Sequence, residues 1–396
     1  MVQQSEKIKL AFFTSHPSEY NGPLFKSLAR HSKIDLTVYY GWDFGVKETH
    51  DLESGVNIKW DIPLLEGYRY KFLNNWAIKK TSSNFLGIIN PGIIVELFRN
   101  RYDAIIVHGY THLSDWFCFF GALITGTPLI FRGETLVRPN QSLWTKALKF
   151  MALKPLFKLT KACLSIGSKS GEFYKYYGVP ADRIFLTPYS VDNDFFINQN
   201  SKYKPHQTEL KKELNLPVDL PVVIFMGKLI HRKRPEDLLK AFSQLKNGLA
   251  SLVFVGDGDL RSALTEYVQE FHIRNAVFTG FISQGMMPKY YALGDIFVLP
   301  SDGETWGLVV NEAMCSGLPV IVSDAVPSVY DIVKDGSNGF IYPCGDVERL
   351  KNSLELLVND RGKINAMGKK SLELISKWNY GACVTGILRA LESSVK

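Results

Sequence analysis

Nearly continuous apolar runs alternate with amphipathic stretches along the chain, and no other feature of the sequence constrains the fold as strongly. In the first half these runs are residues 8–13, 35–40, 104–108, 128–131, 162–166 and 184–187. In the second half they are 222–226, 252–255, 276–278, 296–299, 319–322 and 340–342. A strand that reads apolar throughout is buried on both faces, which is the condition of a parallel sheet covered by helices on each side. Two such sets predict two doubly wound, Rossmann-like α/β domains. The 396 residues suit that count, because one core rarely grows past about 250–300 residues. The polar stretch 193–221 reads as the junction, which sets domains at 1–195 and 196–378 and a terminal helix at 379–396. Folds of this kind take ligands at the carboxyl ends of their strands, so an interdomain cleft is expected. The residues to inspect are those that directly follow strands.

Composition narrows the class further. With 46% hydrophobic and 21% charged residues, the chain is neither disordered nor fibrous. The five scattered cysteines contain no Cys-x-x-Cys pair, so neither a zinc site nor a redox motif is signalled, and a reducing, cytoplasmic setting is expected. Residues 1–9 are polar and lack the apolar core of a signal peptide. The longest apolar run, 116–131, is broken by Gly121, Gly126 and Pro128. It falls short of the roughly 20 residues a membrane span needs and is expected to be a buried helix and strand. Charge is unevenly divided. Residues 1–192 carry 23 basic and 16 acidic residues, net +7, whereas 193–396 carry 23 of each. The first half is therefore expected to face something anionic.

Three segments of the second half follow strands and carry chemistry. Residues 227–235 hold Lys228, Arg232, Lys233 and Arg234 at a strand-to-helix turn, either a phosphate site or a solvated basic loop. Gly256-Asp257-Gly258 allows close backbone approach of a ligand, or makes a plain turn. Residues 300–308 lead into a short helix whose first amides suit a diphosphate. Glu304 lies in that loop and Glu312 eight residues on. Carboxylates grip vicinal hydroxyls well, but Glu304 also complements a helix dipole and Glu312 also reads as an exposed helix residue.

Taken in order, Gly227-Lys228 with Lys233, Gly256-Asp257-Gly258, Glu304-x7-Glu312-Ala313, Ser316-Gly317-Leu318-Pro319-Val320-Ile321 and Asp335-Gly336-Ser337-Asn338-Gly339-Phe340 resemble the retaining glycosyltransferases of family 4, which have the GT-B fold. The resemblance is strong over 220–345 and loose elsewhere. It implies that Lys228 and Lys233 bind the donor diphosphate, with Lys228 standing where the family usually has Arg. It implies that Glu304 meets donor-sugar hydroxyls and that Glu312 holds the ribose. Backbone amides of Trp306, Gly307 and Leu308 would line the diphosphate or sugar. Gly280 and Phe281 stand at the nucleobase, and Gly227 and Gly256 complete the donor side.

Signals are sparser in the first half. His108 ends a strand; a lone histidine is more often structural, yet this one matches the family position facing the donor sugar, with His112 as the competing occupant. Arg132 and Glu134 follow the next strand and read as acceptor contacts or as a structural ion pair. The loop after the first strand has only Gly22 where many relatives have a glycine pair, so His16 or Asn21 is assigned to the acceptor. The final helix, from Tyr380, is expected to return to the N-terminal domain, as in relatives.

The resemblance implies an enzyme, a hexosyltransferase. It would move a sugar with retention from a nucleotide diphosphate donor, UDP-sugar favoured over GDP-sugar, to a hydroxyl acceptor. That acceptor is expected to be a lipid-linked or growing glycan of surface polysaccharide biosynthesis, bound by the N-terminal domain. With lysines to do a metal's work and no Asp-x-Asp pair read at a strand end, no divalent ion or other cofactor is expected. The rival readings are a GT-B nucleotide-sugar epimerase and a non-catalytic paralogue that binds a partner. No GxGxxG follows the first strand, which argues against a dinucleotide dehydrogenase. Nucleic acid is not an expected partner.

One patch points to a surface. Arg138, Lys146, Lys149, Lys154, Lys158, Lys161, Lys169 and Lys175 interleave with Leu143, Trp144, Leu148, Phe150, Met151, Leu153, Leu156 and Phe157. The expectation is peripheral docking on an anionic inner membrane face; the alternative is a solvated lysine-rich helix on the sheet, and Pro155 is expected to break the run.

Overall fold

The computed structural model describes residues 7–46, 63–137, 142–246 and 248–395, together with the short paired strands β3 (Thr49–His50) and β4 (Asn57–Ile58). The described residues divide into two compact units. One takes in the chain up to Thr49, Ile58–Tyr189 and the helix from Tyr380; the other takes in Ser190–Asn379 and His50–Asn57.

The first unit is built on β1 (Ile8–Thr14), β2 (Ile34–Tyr40), β5 (Arg69–Phe72), β6 (Ala104–His108), β7 (Leu129–Arg132), β8 (Ala162–Ser165) and β9 (Ile184–Leu186). They form a sheet of order β5-β2-β1-β6-β7-β8-β9, with every pair parallel. Right-handed crossovers send helices to opposite faces as the chain winds outward from β1 in two directions. One face holds Leu97, Cys118, Leu153, Leu156 and Phe173 over Phe13, Val107 and Phe131. The other holds Leu24, Phe25 and Leu28 with Val384, Ile387 and Leu391 over Leu10, Phe12 and Ile106. The helix Tyr380–Ser394 is therefore part of this unit's core. Each such fully buried Leu or Phe is worth about 1.5–3 kcal/mol of transfer free energy.

The second unit repeats the plan with β10 (Val222–Met226), β11 (Ser251–Val255), β12 (Ala276–Phe278), β13 (Ile296–Leu299), β14 (Val320–Ser323) and β15 (Gly339–Tyr342). Its order is β12-β11-β10-β13-β14-β15, again all parallel. In both sheets the first and fourth strands of the unit lie side by side and the chain leaves them in opposite directions. Each sheet thus has one topological switch point, β1/β6 in the first and β10/β13 in the second.

Four expectations need correction. The stretch 193–221 is not a loose junction: it forms helices Asn193–Tyr203 and Gln207–Glu213 of the second unit. Its polar side chains seize backbone carbonyls, with Asn193 donating to Ile375 at 3.1 Å and Gln207 to Leu293 at 2.8 Å. Pro155 does not end the helix Leu143–Leu159, because Leu153 before it and Leu156 and Phe157 after it are all anchored in the core. The helix Leu113–Thr125 buries only one side, leaving Phe120, Leu123 and Ile124 exposed. The edge strand β5, largely exposed, lay outside the expected set.

Candidate active site

In the second unit, the segments that follow β10 and β13 meet at the switch point. After Gly227 the chain makes a single tight turn, His231–Lys233, before the helix Pro235–Ser243. That turn carries Lys233 to Glu304, whose Oε1 accepts from Lys233 Nζ. Arg232 Nη1 stands 3.6 Å from the other carboxylate oxygen and donates to Gly303 O at 2.7 Å. The side chains of Lys233 and Glu304 are only 13% and 10% exposed, so each charge depends on the other. Lys228 is half-buried at the start of the same segment.

Two glycines shape this group. A Cβ at Gly256 would lie 2.0 Å from Gly227 O, so the close approach expected of a ligand there is made by the neighbouring backbone. Gly307 opens the helix Leu308–Cys315 at φ +94°, and a Cβ would press Val326 at 2.7 Å. Trp306 turns its ring inward, donating to Asn311 Oδ1 at 2.9 Å and stacking on Trp378, which leaves its backbone for the site. Phe281, beside Gly280, presents an exposed ring. Glu312 is fully buried and accepts from Tyr291 Oη at 2.7 Å; it is not an exposed helix residue. An Asp-x-Asp pair, Asp257 and Asp259, does follow β11 after all. Asp257 is tied to Arg261 Nη1 at 2.7 Å and to Gly258 N at 2.9 Å, and Asp259 points to solvent. Among the described residues no three His, Cys, Asp or Glu side chains are grouped as a metal site.

In the first unit, the carboxyl ends of β6 and β7 and the segments after β1 and β7 bring His16, Glu19, Asn21, His108, Arg132 and Glu134 into one cluster, closed by Tyr189. Glu134 Oε1 accepts from Tyr189 Oη at 2.5 Å and lies 3.5 Å from His108 Nε2. Burial alone would raise the Glu134 carboxyl, but the His108, Tyr189 and Arg132 contacts outweigh it and hold it down to about 2. Burial, helped by His112 and His108, lowers His16 to about 4. Burial, aided by the charge on Glu134, raises Glu19 to about 7. Displaced titrations of this kind gather at functional sites.

The structure gives three of the sequence candidates a fixed structural place. His112, the competing candidate, caps the helix Leu113–Thr125 through Asp115, and its Nε2 lies 3.1 Å from Ser82 O. Arg132 is the last residue of β7 and is buried, donating to Asn21 Oδ1 at 3.2 Å. Both side chains are buried. His16 and Glu134 are half-buried. Glu19 was missed.

Glu19 yields a testable pH dependence. Its folded titration, near 7, lies above the ordinary 4.5, so the folded state holds a proton that the unfolded state releases between those values. The resulting penalty is absent below about pH 4.5, grows as pH rises and is complete above about 7. Glu19→Gln lacks it. The variant's stability relative to wild type is expected to improve by about 2–3 kcal/mol between pH 4.5 and 7.5. Denaturant melts at the two values check this; a constant difference refutes the assignment.

The plan of each unit recurs in solved structures. The Anabaena protein Alr3699/HepE, determined in complex with UDP, superposes with a TM-score of 0.74 at 18% identity, over 98% of this chain and 100% of that one. WaaG, a glycosyltransferase of lipopolysaccharide biosynthesis, gives 0.66 at 14% identity, over 97% and 99%. The fold is GT-B. Within it, residues 206–373 match the family described as glycosyl transferases group 1. Among curated proteins, sulfoquinovosyl transferase SQD2 of Arabidopsis thaliana is 33% identical over 320 residues, 76% of this chain and 58% of that protein. Alpha-D-kanosaminyltransferase of Streptomyces kanamyceticus is 28% identical over 220 residues, 54% and 56% of the two. The chain thus spans little more than half the length of these curated relatives. The GT-B plan explains why each unit gathers its polar groups at one switch point.

Proposed function

We propose that this chain is a glycosyltransferase that moves a hexose from a nucleotide diphosphate sugar to a hydroxyl acceptor with retention. The observation that carries the reading is the Lys233–Glu304 pair at the β10/β13 switch point. It sets a cation for phosphate beside a carboxylate for sugar hydroxyls. As the glycosidic bond breaks, charge gathers on the departing diphosphate, and Lys228, Lys233 and the amides opening helix Leu308–Cys315 stabilise it. The leaving phosphate takes the acceptor's proton on the same face, which requires no metal and no dedicated carboxylate base. Phe281 offers its ring to the base. UDP is favoured as carrier, consistent with the nucleotide in the Anabaena structure. A thermal-shift panel of UDP-, GDP- and ADP-sugars in EDTA tests this, since a ligand of the folded state raises the melting temperature. UDP-sugars are expected to give the largest shift; no shift with any of them refutes the reading.

The acceptor fits a lipid-linked glycan at an anionic membrane face. No helix of the described residues is long and apolar enough to cross a membrane. However, Trp144, Leu148 and Met151, spaced for one helical face, are 83%, 62% and 65% exposed. Phe98, Phe120, Leu123 and Ile124 are exposed on helices covering the same side of the sheet. Lys154 and Lys158 are exposed nearby, while Lys169 is taken by Glu172 at 3.0 Å and Arg138 lies outside the described residues. Aromatic and aliphatic side chains with interspersed lysines suit an anionic interface, where each Lys adds about 1 kcal/mol. Co-sedimentation with liposomes is expected to rise with anionic lipid, fall with salt and drop in a Trp144→Ser/Leu148→Ser/Met151→Ser variant. Equal recovery of variant and wild type removes this face from the role.

A further inference from the structure

We propose that Arg132 and Tyr189 are positioning residues that lock Glu134 against His108 and so fix which imidazole nitrogen of His108 carries the proton and how the ring is held; the catalytic part of this rests on the transferase reading. β6 and β7 are neighbours, with His108 in register with Arg132, and Gly109 N donates to Arg132 O at 2.8 Å. The register brings Glu134, two residues beyond Arg132, to the imidazole. Tyr189 Oη donates into the same carboxylate oxygen that stands 3.5 Å from His108 Nε2. Arg132, 1% exposed, holds its guanidinium 5.6 Å over the Tyr189 ring and is itself tethered to Asn21.

An ionised carboxylate accepts hydrogen bonds and donates none. Beside it, an imidazole that carries a single proton holds it on Nε2. Nδ1 then keeps its lone pair. In the structure Nδ1 is buried and has no hydrogen-bond partner among the described residues. A buried lone pair left open costs less than a buried N–H left open would, because the proton is spent on the Glu134 side, so the unpartnered Nδ1 agrees with a proton held on Nε2. Arg132 also contributes a buried positive charge that keeps Glu134 ionised. The sequence left Arg132 and Glu134 as acceptor contacts or a structural ion pair; the geometry sets Glu134 beside His108 and Arg132 over the Tyr189 ring.

The test uses the full chain and two readouts. Long-range proton–nitrogen spectra of the 15N-labelled protein, with His108 assigned through His108→Gln, report the tautomer directly. Wild type is expected to show the Nε2-protonated form, and Glu134→Leu to lose that preference. Tyr189→Phe keeps the ring and removes the donor. Its His108 nitrogen shifts are expected to move, and kcat for UDP-sugar turnover is expected to fall about tenfold or more with KM and melting temperature little changed. Arg132→Lys, which keeps the charge, is expected to lie between wild type and Tyr189→Phe. An unchanged His108 spectrum in both Glu134→Leu and Tyr189→Phe overturns the proposal, as does wild-type kcat in Tyr189→Phe. Should no sugar nucleotide be turned over by wild type, the transferase reading fails by itself, and the tautomer still decides the positioning role.

Discussion

Lys233→Ala is expected to weaken nucleoside diphosphate binding at least tenfold and to lower the melting temperature as well. The first loss is a charge-assisted contact to phosphate, about 1.5–3 kcal/mol. The second follows from the pair in the unliganded protein. Without Lys233 the nearly buried Glu304 carboxylate keeps, among the described residues, Arg232 at 3.6 Å, and a poorly paired charge in that position costs a few kcal/mol, on the order of 2–4. The two losses separate in the double variant Lys233→Ala/Glu304→Gln. Neutralising Glu304 is expected to restore the melting temperature while affinity stays low. Calorimetric titration with UDP, alongside thermal melts, reads both. Unchanged affinity in the single variant removes Lys233 from the phosphate.

Glu304→Gln alone should act on chemistry. Turnover is expected to fall roughly 10²–10³-fold, the scale of losing one preorganised transition-state contact. Free UDP should bind within about threefold of wild type, because UDP has no sugar for Glu304 to hold. Glu312 has a different environment. Its carboxylate already holds the Tyr291 hydroxyl inside the second unit, so a ribose bound there must share it. Glu312→Gln is expected to weaken free UDP itself. Equal losses of UDP affinity in the two variants would abolish this division between sugar and ribose.

The strands of both sheets were legible because burial on two faces leaves an uninterrupted apolar run. β5 was not, since it lies at an edge with Arg69, Tyr70 and Lys71 exposed. Residues 193–221 look like a linker for a physical reason: Lys204, Gln207 and Lys211 are polar, yet each spends its side chain on a backbone carbonyl of the second unit. Candidate residues could be read from the sequence where they end or follow strands, as with His108, Lys233 and Glu304. Glu19 was not, because its character comes from burial near Glu134, which is remote in sequence. Arg132 was misjudged by one position: β7 runs through it, and a strand residue there points into the protein.

The helix Tyr380–Ser394 has a consequence for how the chain comes to be folded during synthesis. The bulk of the second unit is the continuous segment Ser190–Asn379, which closes on itself at Trp378, where the ring stacks on Trp306. The first unit, although translated earlier, lacks Val384, Ile387 and Leu391 from one face of its sheet until that helix emerges. On a ribosome the usual order, N-terminal domain first, is therefore inverted for completion. The part made first waits, with Leu10, Phe12 and Leu164 partly uncovered, and the part made second finishes before it.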